Sequence, residues 1–233
     1  MTGFAVRSRA AERIDDPDLP AADYAAAMRD LERVNRLLFA NMPTFAFLRQ
    51  AAAGRQQLQI LDVGCGHGDY LRAIARWAER QKIAVALTGI DLSPAAIAAA
   101  SAATPPSLGI RFVAGDVFAY QPATAPDVIV SALFTHHLSD DQIIAFLRWM
   151  EQTARLGWHI NDLHRHPLAW HGFRLLATVM RWHPIVRHDG ALSVRRAFVR
   201  RDWQALLVAA GIAQGGARIR WWPLFRYAVG RLR

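Results

Sequence analysis

The chain has one cysteine, Cys65, and one lysine, Lys82, among 233 residues. A lone cysteine forms no intrachain disulfide and supports no cysteine-based metal site. No apolar run approaches the roughly 20 residues that a membrane span requires. Three arginines, Arg7, Arg9 and Arg13, stand near the start, but no apolar segment of the secretory kind follows them. There is no internal repeat, and no low-complexity tract beyond short alanine clusters. These absences point to a cytoplasmic protein. With 53% hydrophobic residues, a chain of this length suits one large α/β domain better than two small ones.

Charge is present in excess and unevenly placed. The net charge is +9, and residues 148–233 carry 15 arginines against four acids, Glu151, Asp162, Asp189 and Asp202. Every tryptophan except Trp77 also lies in that basic third. Such a segment suits nucleic acid, an anionic substrate or the anionic inner face of a membrane. The plainer explanation is that arginine does the work of lysine throughout.

Hydrophobic periodicity organises the rest. Residues 19–38 read as a helix, with Ala27, Leu31, Val34 and Leu38 at three- and four-residue steps. From 58 onward, strands at 58–63, 85–91, 110–114, 127–130 and 158–161 alternate with helices at 70–82, 94–103 and 142–156. Pro94 sits where a helix start tolerates proline. This alternation predicts a Rossmann-like, doubly wound, mostly parallel sheet. After a helix at 201–210, two strands at 218–222 and 225–229 are too close for a crossover. They must form an antiparallel hairpin, which ends a seven-stranded sheet.

The first strand runs into Leu61-Asp62-Val63-Gly64-Cys65-Gly66-His67-Gly68. Closely spaced glycines turn the chain sharply and let a ligand approach the backbone, where the next helix presents unpaired N–H groups. The dinucleotide fingerprint G-x-G-x-x-G seats a pyrophosphate, but here the spacing is G-x-G-x-G. Asp62 would repel a pyrophosphate and suits an ammonium. Asp91, in Gly89-Ile90-Asp91-Leu92-Ser93, stands where an acid accepts from ribose hydroxyls. Asp116, in Gly115-Asp116-Val117, stands where a carboxylate accepts from an adenine amino group.

These three linked motifs resemble those of the class I S-adenosylmethionine-dependent methyltransferases over about residues 58–161. The resemblance implies that Gly64, Cys65, Gly66 and Gly68 line the methionine moiety and Asp62 orients its amino group. Asp91 would hold the ribose, Leu92 would flank the adenine, and Asp116 with the Val117 N–H would read its edge. Ser131 would touch the methionine end. The domain reading is a helical cap at 1–56 and a cofactor-binding domain at 57–233, with an acceptor-side insert at about 162–200.

On the acceptor side, Ser131-Ala132-Leu133-Phe134-Thr135-His136-His137 resembles the loop of quinone-biosynthesis-type methyltransferases. His136 or His137 is the candidate general base, since imidazole titrates near neutrality. Asn161, His164 and Arg165 follow the fifth strand and are candidate acceptor contacts, as are His188 and Arg195. Histidines at 164, 166 and 171 are irregularly spaced with no carboxylate cluster, so no metal is expected. The apolar stretch 167–186 predicts a lid or wall over an apolar pocket. The motifs Asp15-Asp16-Pro17, Arg33-Val34-Asn35-Arg36-Leu37-Leu38, Asn161-Asp162-Leu163 and 187–198 resemble a bacterial subgroup often associated with type III polyketide synthases, in secondary metabolism.

The function expected is methyl transfer to a hydrophobic small molecule, at an oxygen of a phenolic, quinone-like or polyketide compound. A nucleic-acid methyltransferase and a non-catalytic binder of the cofactor are the alternatives. No nucleic-acid acceptor loop or appended RNA- or DNA-binding motif supports the first. Oligomeric state is not legible here.

Overall fold

Seven strands form one sheet in the computed structural model, which describes residues 4–16 and 18–233. Their order is β3-β2-β1-β4-β5-β7-β6: β1 is Gln57–Val63, β2 Ala84–Asp91, β3 Arg111–Ala114, β4 Val128–Ala132, β5 Gly157–Leu163, β6 Arg218–Trp222 and β7 Arg226–Leu232. The first five run parallel, and β7 lies antiparallel between β5 and β6. The expected mixed sheet with its closing antiparallel pair is therefore the architecture of this chain. The winding reverses between β1 and β4, and in open α/β sheets the crevice at such a switch point holds the ligand.

The helices are α1 Ala21–Leu37, α2 Met42–Ala51, α3 Asp69–Gln81, α4 Pro94–Ala103, α5 Asp140–Thr153, α6 Pro167–Val179, α7 Pro184–Arg196 and α8 Arg200–Ala209. Local chemistry sets several of their ends. Ser93 accepts from the Ala96 N–H at the start of α4, ahead of Pro94. Ser139 and Gln142 form a reciprocal capping box on α5. The apolar face of α3, with Leu71, Ile74 and Trp77, packs with Leu48 of α2 on one side of the sheet. Ile143, Phe146 and Met150 of α5 and Trp203 of α8 fill the other. Covered on both faces, β1 is buried along most of its length.

A third cluster joins α1 to α6 and α7 through Ala27, Val34, Ala177, Trp182 and Val186. Residues 187–198, which carry the candidate acceptor contacts His188 and Arg195, are mostly helical here. Gly190 lets α7 approach α6 closely, since a Cβ there would lie 2.2 Å from the Phe173 ring. Pro17, part of one subgroup motif, lies outside the described residues.

Three of the seven tryptophans of the basic third are structural, while Trp221 is exposed. Trp158, Trp182 and Trp203 are buried. Much of the positive charge is likewise spent inside the fold. Arg231 and Arg233 pair with Glu151 at 3.1 and 2.6 Å, Arg165 pairs with Asp202 at 2.9 Å, and Arg196 and Arg226 are buried. Among the described residues, no helix is long and apolar enough to cross a membrane.

Candidate functional site

At the C-terminal end of β1 the chain turns through Gly64, Gly66 and Gly68, all with positive φ. The loop is tied to β2: the Gly64 and Cys65 N–H groups donate to the Ile90 carbonyl at 2.9 and 3.1 Å. Asp91 accepts from Gly66 N–H at 2.8 Å and from Ser93 N–H at 2.9 Å, so its carboxylate is locked beside the loop. A Cβ on Gly64 would lie 2.4 Å from Phe134, and its φ of +71° is strained for any L side chain. Gly64→Ala is therefore expected to lower the melting temperature by several degrees and to displace the loop, a loss that Phe134→Ala repairs only in part because the backbone strain stays. Calorimetric melting of the single and double variants checks this.

Asp62 is left unsatisfied. It is 1% exposed, and its Oδ2 has no hydrogen-bond partner among the described residues. Burial, reinforced by the nearby Asp69 and Asp91, pushes its carboxyl well above the usual carboxylate range. A buried carboxylate aimed at a glycine loop with nothing to pair with is what an incoming ammonium would satisfy. On this observation the residues fit S-adenosylmethionine.

The remaining cofactor candidates converge on the same edge of the sheet. Ser131 donates to the Val63 carbonyl at 2.9 Å, bracing the end of β1 against β4. Asp116 accepts from Phe118 N–H at 2.9 Å in a turn after β3, while Val117 is buried. Leu92 is 74% exposed, an apolar side chain available to flank a planar ring. Cys65 is buried against Gly89, and burial, then Asp62 and Asp91, raise its thiol, which makes it a packing residue rather than a nucleophile. Above the loop lies α1, with Asn35 Nδ2 donating to Asp69 at 3.4 Å and Glu32 paired to Arg72 at 3.2 Å.

The histidine loop is held differently. His136 is buried, and its Nδ1 lies 2.7 Å from Asp162 Oδ1. Asp162 also accepts from the His136 N–H at 3.0 Å and from the Thr135 hydroxyl. Burial alone would raise the Asp162 carboxyl, but the charge and hydrogen bond of His136 with those of its neighbours hold it down to about 2. His137 Nδ1 lies 2.9 Å from Asp15. Both Nε2 atoms face Glu12, at 3.7 and 3.8 Å. Arg196 clamps this loop by donating to the His136 and His137 carbonyls, both at 3.0 Å.

The candidate acceptor residues do not form one group. Asn161 is fully buried and donates to the Ala40 carbonyl at 2.6 Å. The buried Arg165 spends its donors on Asp202 and on the Ala197 and Phe4 carbonyls. His164 accepts from Trp221 Nε1 at 3.2 Å, and burial, then the neighbouring charges of His166 and Arg165, bring it down to about 4. His188 is exposed and pairs with Asp189, which in turn holds the Ile14 N–H. Arg195 is exposed on α7.

Sequence reading missed Glu12 and Arg226, and had Asp15 only as part of the Asp15-Asp16-Pro17 motif. Arg226 opens β7 opposite Leu163, at the ligand-facing end of the sheet. It is buried, and its Nε and Nη1 have no partner among the described residues. No local pattern marks Glu12 or Arg226, and only the folded chain sets Asp15 beside His137.

Comparison with known proteins follows this geometry. A family model described as "Methyltransferase domain" matches residues 60–183. Trans-aconitate 2-methyltransferase of Escherichia coli O1:K1 / APEC is 34% identical over 134 residues, 47% of this chain and 50% of that protein. The same-named protein of Streptomyces avermitilis is 38% identical over 81 residues, 33% of this chain and 28% of that one. The chain thus spans half or less of the length of these curated relatives. Among solved structures, the plantazolicin methyltransferase BpumL with SAH superposes with a TM-score of 0.68 at 16% identity, covering 94% of this chain and 92% of that one. The magnesium protoporphyrin IX methyltransferase of Synechocystis PCC 6803 with bound SAH gives 0.56 at 15% identity, covering 85% and 84%. At such identities the likeness is one of fold.

Proposed function

The chain belongs to the methyltransferase domain family, and from that premise we propose that it moves the sulfonium methyl of S-adenosylmethionine to an oxygen of a small, hydrophobic acceptor. The observation that carries this reading is the unpartnered, buried Asp62 Oδ2 beside the glycine loop. Asp91 would hold the ribose, Leu92 and Val117 the adenine, and Asp116 its amino edge. The cofactor supplies an electrophilic methyl; the chain supplies placement. The acceptor oxygen must come within about 3–3.5 Å of that methyl.

For the acceptor, we favour a phenolic, quinone-like or polyketide compound, in keeping with the subgroup motifs and the apolar α6–α7 insert. Arg226 adds a requirement: a buried guanidinium with unpartnered N–H groups at the sheet's ligand end suits an anionic oxygen. A phenolate and a carboxylate both meet it, and the relatives named for trans-aconitate make a carboxylate the second candidate. His136 and His137 are assigned to acceptor activation.

Calorimetric titration with S-adenosylmethionine, followed by labelled-methyl transfer to host extracts split into phenolics, quinones, lipids and RNA, tests the reading. One cofactor per chain and label in a low-molecular-weight apolar fraction are expected. Label confined to RNA would favour a nucleic-acid substrate, and binding with no transfer would favour a non-catalytic binder. Retention of a nicotinamide or flavin in place of the sulfonium compound would sink it.

A second reading, compatible with the first, is peripheral contact with an anionic membrane. Leu168, Leu175 and Val179 of α6 are exposed, with Arg174 on the same helix and Arg181 just beyond it. Flotation with anionic liposomes should carry the protein upward, and Leu175→Glu with Val179→Glu should reduce the floated fraction severalfold. Equal flotation of the variant would remove this reading.

A further inference from the structure

We propose that Glu12, His136 and His137 form a binding site for one divalent transition-metal ion of the zinc and cobalt(II) class. The possible ligand atoms of the three residues lie within 4.8 Å of one another. His136 Nε2 is 3.7 Å from Glu12 Oε1 and His137 Nε2 is 3.8 Å from Glu12 Oε2. Both distances exceed hydrogen-bond range, so these atoms converge without bonding one another. Ligands placed about 2.1 Å from a tetrahedral zinc stand roughly 3.4 Å apart. The two Glu12–histidine separations exceed that by a few tenths of an ångström, and the whole set, spread over no more than 4.8 Å, would contract further to close around an ion.

The surroundings of the rings carry the argument further. A metal-binding histidine is usually oriented by a carboxylate on its other ring nitrogen. Here both are: Asp162 Oδ1 stands 2.7 Å from His136 Nδ1, and Asp15 Oδ2 2.9 Å from His137 Nδ1. A proton on each Nδ1 leaves each Nε2 lone pair facing the Glu12 carboxylate. Glu12 is itself fixed, accepting from the Ser193 hydroxyl at 3.0 Å, with Arg196 Nε at 3.6 Å.

Donor chemistry narrows the metal. Two imidazoles and one carboxylate suit zinc, cobalt(II) or iron(II), whereas calcium and magnesium prefer all-oxygen shells. Three protein ligands leave a coordination position open. Glu12 and His136 are each 3% exposed at the side chain and His137 23%, so entry is from the His137 side. That open position would take an acceptor oxygen and lower its proton affinity, a consequence that rests on the methyl-transfer reading. The site itself does not rest on it.

The test uses the full chain, stripped with chelator and dialysed, then titrated with cobalt(II) and zinc. One equivalent per chain, visible cobalt ligand-field bands and a rise in melting temperature are expected. Glu12→Gln and His137→Ala should each abolish the bands, and Asp15→Asn should weaken uptake about 10–100-fold. His171→Ala, on an exposed residue outside the cluster, should change nothing. Circular dichroism confirms that each variant is folded; Glu12→Gln is isosteric and serves if a histidine variant is not. Absence of stoichiometric uptake, or uptake surviving His136→Ala with His137→Ala, overturns the proposal. Titrating S-adenosylmethionine into the same samples separates the two ideas. Cofactor binding without metal uptake sinks only the metal site, and metal uptake without cofactor binding sinks only the methyl-transfer reading.

Discussion

Asp62→Asn is expected to weaken S-adenosylmethionine binding by roughly 30–1,000-fold while leaving the cofactor-free protein as stable as the parent or more so. Removing one partner of a buried, paired charge costs about 2–5 kcal/mol, and about 2–4 kcal/mol of that range corresponds to this loss of affinity. The gain in the free protein has the same origin. An ionised Asp62 with an unpartnered oxygen is a buried charge without compensation, and asparagine removes it.

The pH dependence follows from the direction of the shift. Asp62 is held above the ordinary carboxylate range when folded, so between that range and its folded value the native state binds more protons than the unfolded state. Stability therefore falls as pH rises through this window. Asp69, raised chiefly by burial, contributes with the same sign. Cofactor affinity should climb over the same interval as the carboxylate ionises to meet the ammonium. Thermal melts and calorimetry across pH, with and without the cofactor, should show both trends in the parent and neither Asp62 contribution in the variant. A parent whose affinity is flat through the window, or a variant that binds normally, would remove the ammonium from the argument.

The second large effect is expected on turnover. His136→Ala combined with His137→Ala should lower methyl transfer about 10²–10⁴-fold, the span of general acid–base catalysis, with cofactor affinity changed by no more than about threefold. The two activities should divide because the histidines follow β4, whereas the polar contacts proposed for the cofactor, Ser131 apart, lie at the ends of β1, β2 and β3. Unchanged turnover would strip both residues of a part in acceptor activation. A large loss of cofactor binding would make them supports of the glycine loop instead.

What could be read in the sequence was local. The glycine spacing, Asp62 and Asp91 stand within one strand–loop–helix–strand unit, where neighbouring residues dictate the turn and its polar groups. The closing hairpin was equally legible, because the link between Trp222 and Arg226 is too short for any other connection. Long-range packing hid the rest. Arg165 and His164 follow β5 and have the chemistry of acceptor contacts, yet Asp202, the Ala197 carbonyl and Trp221 engage them. Asp162 appeared only as a letter in a motif, although its carboxylate positions His136. Glu12 and Asp15 lie in a stretch with no periodicity or cap to mark it. Their roles depend on a segment laid across the histidine loop and α7, which no window of neighbouring residues reports.

That segment bears on how the molecule is made. Ser8 bonds to Arg195, Arg7 to Arg196 and Glu12 to Ser193, with 189 and 181 positions separating the last two pairs. A ribosome adding about 5–20 residues per second finishes the earlier strand of each pair on the order of ten to forty seconds before the later one. His136 follows Glu12 by 124 positions and Ser193 by 181, so the histidines are made before the residue that fixes Glu12. The segment that carries Glu12 therefore settles only once much later residues have been made.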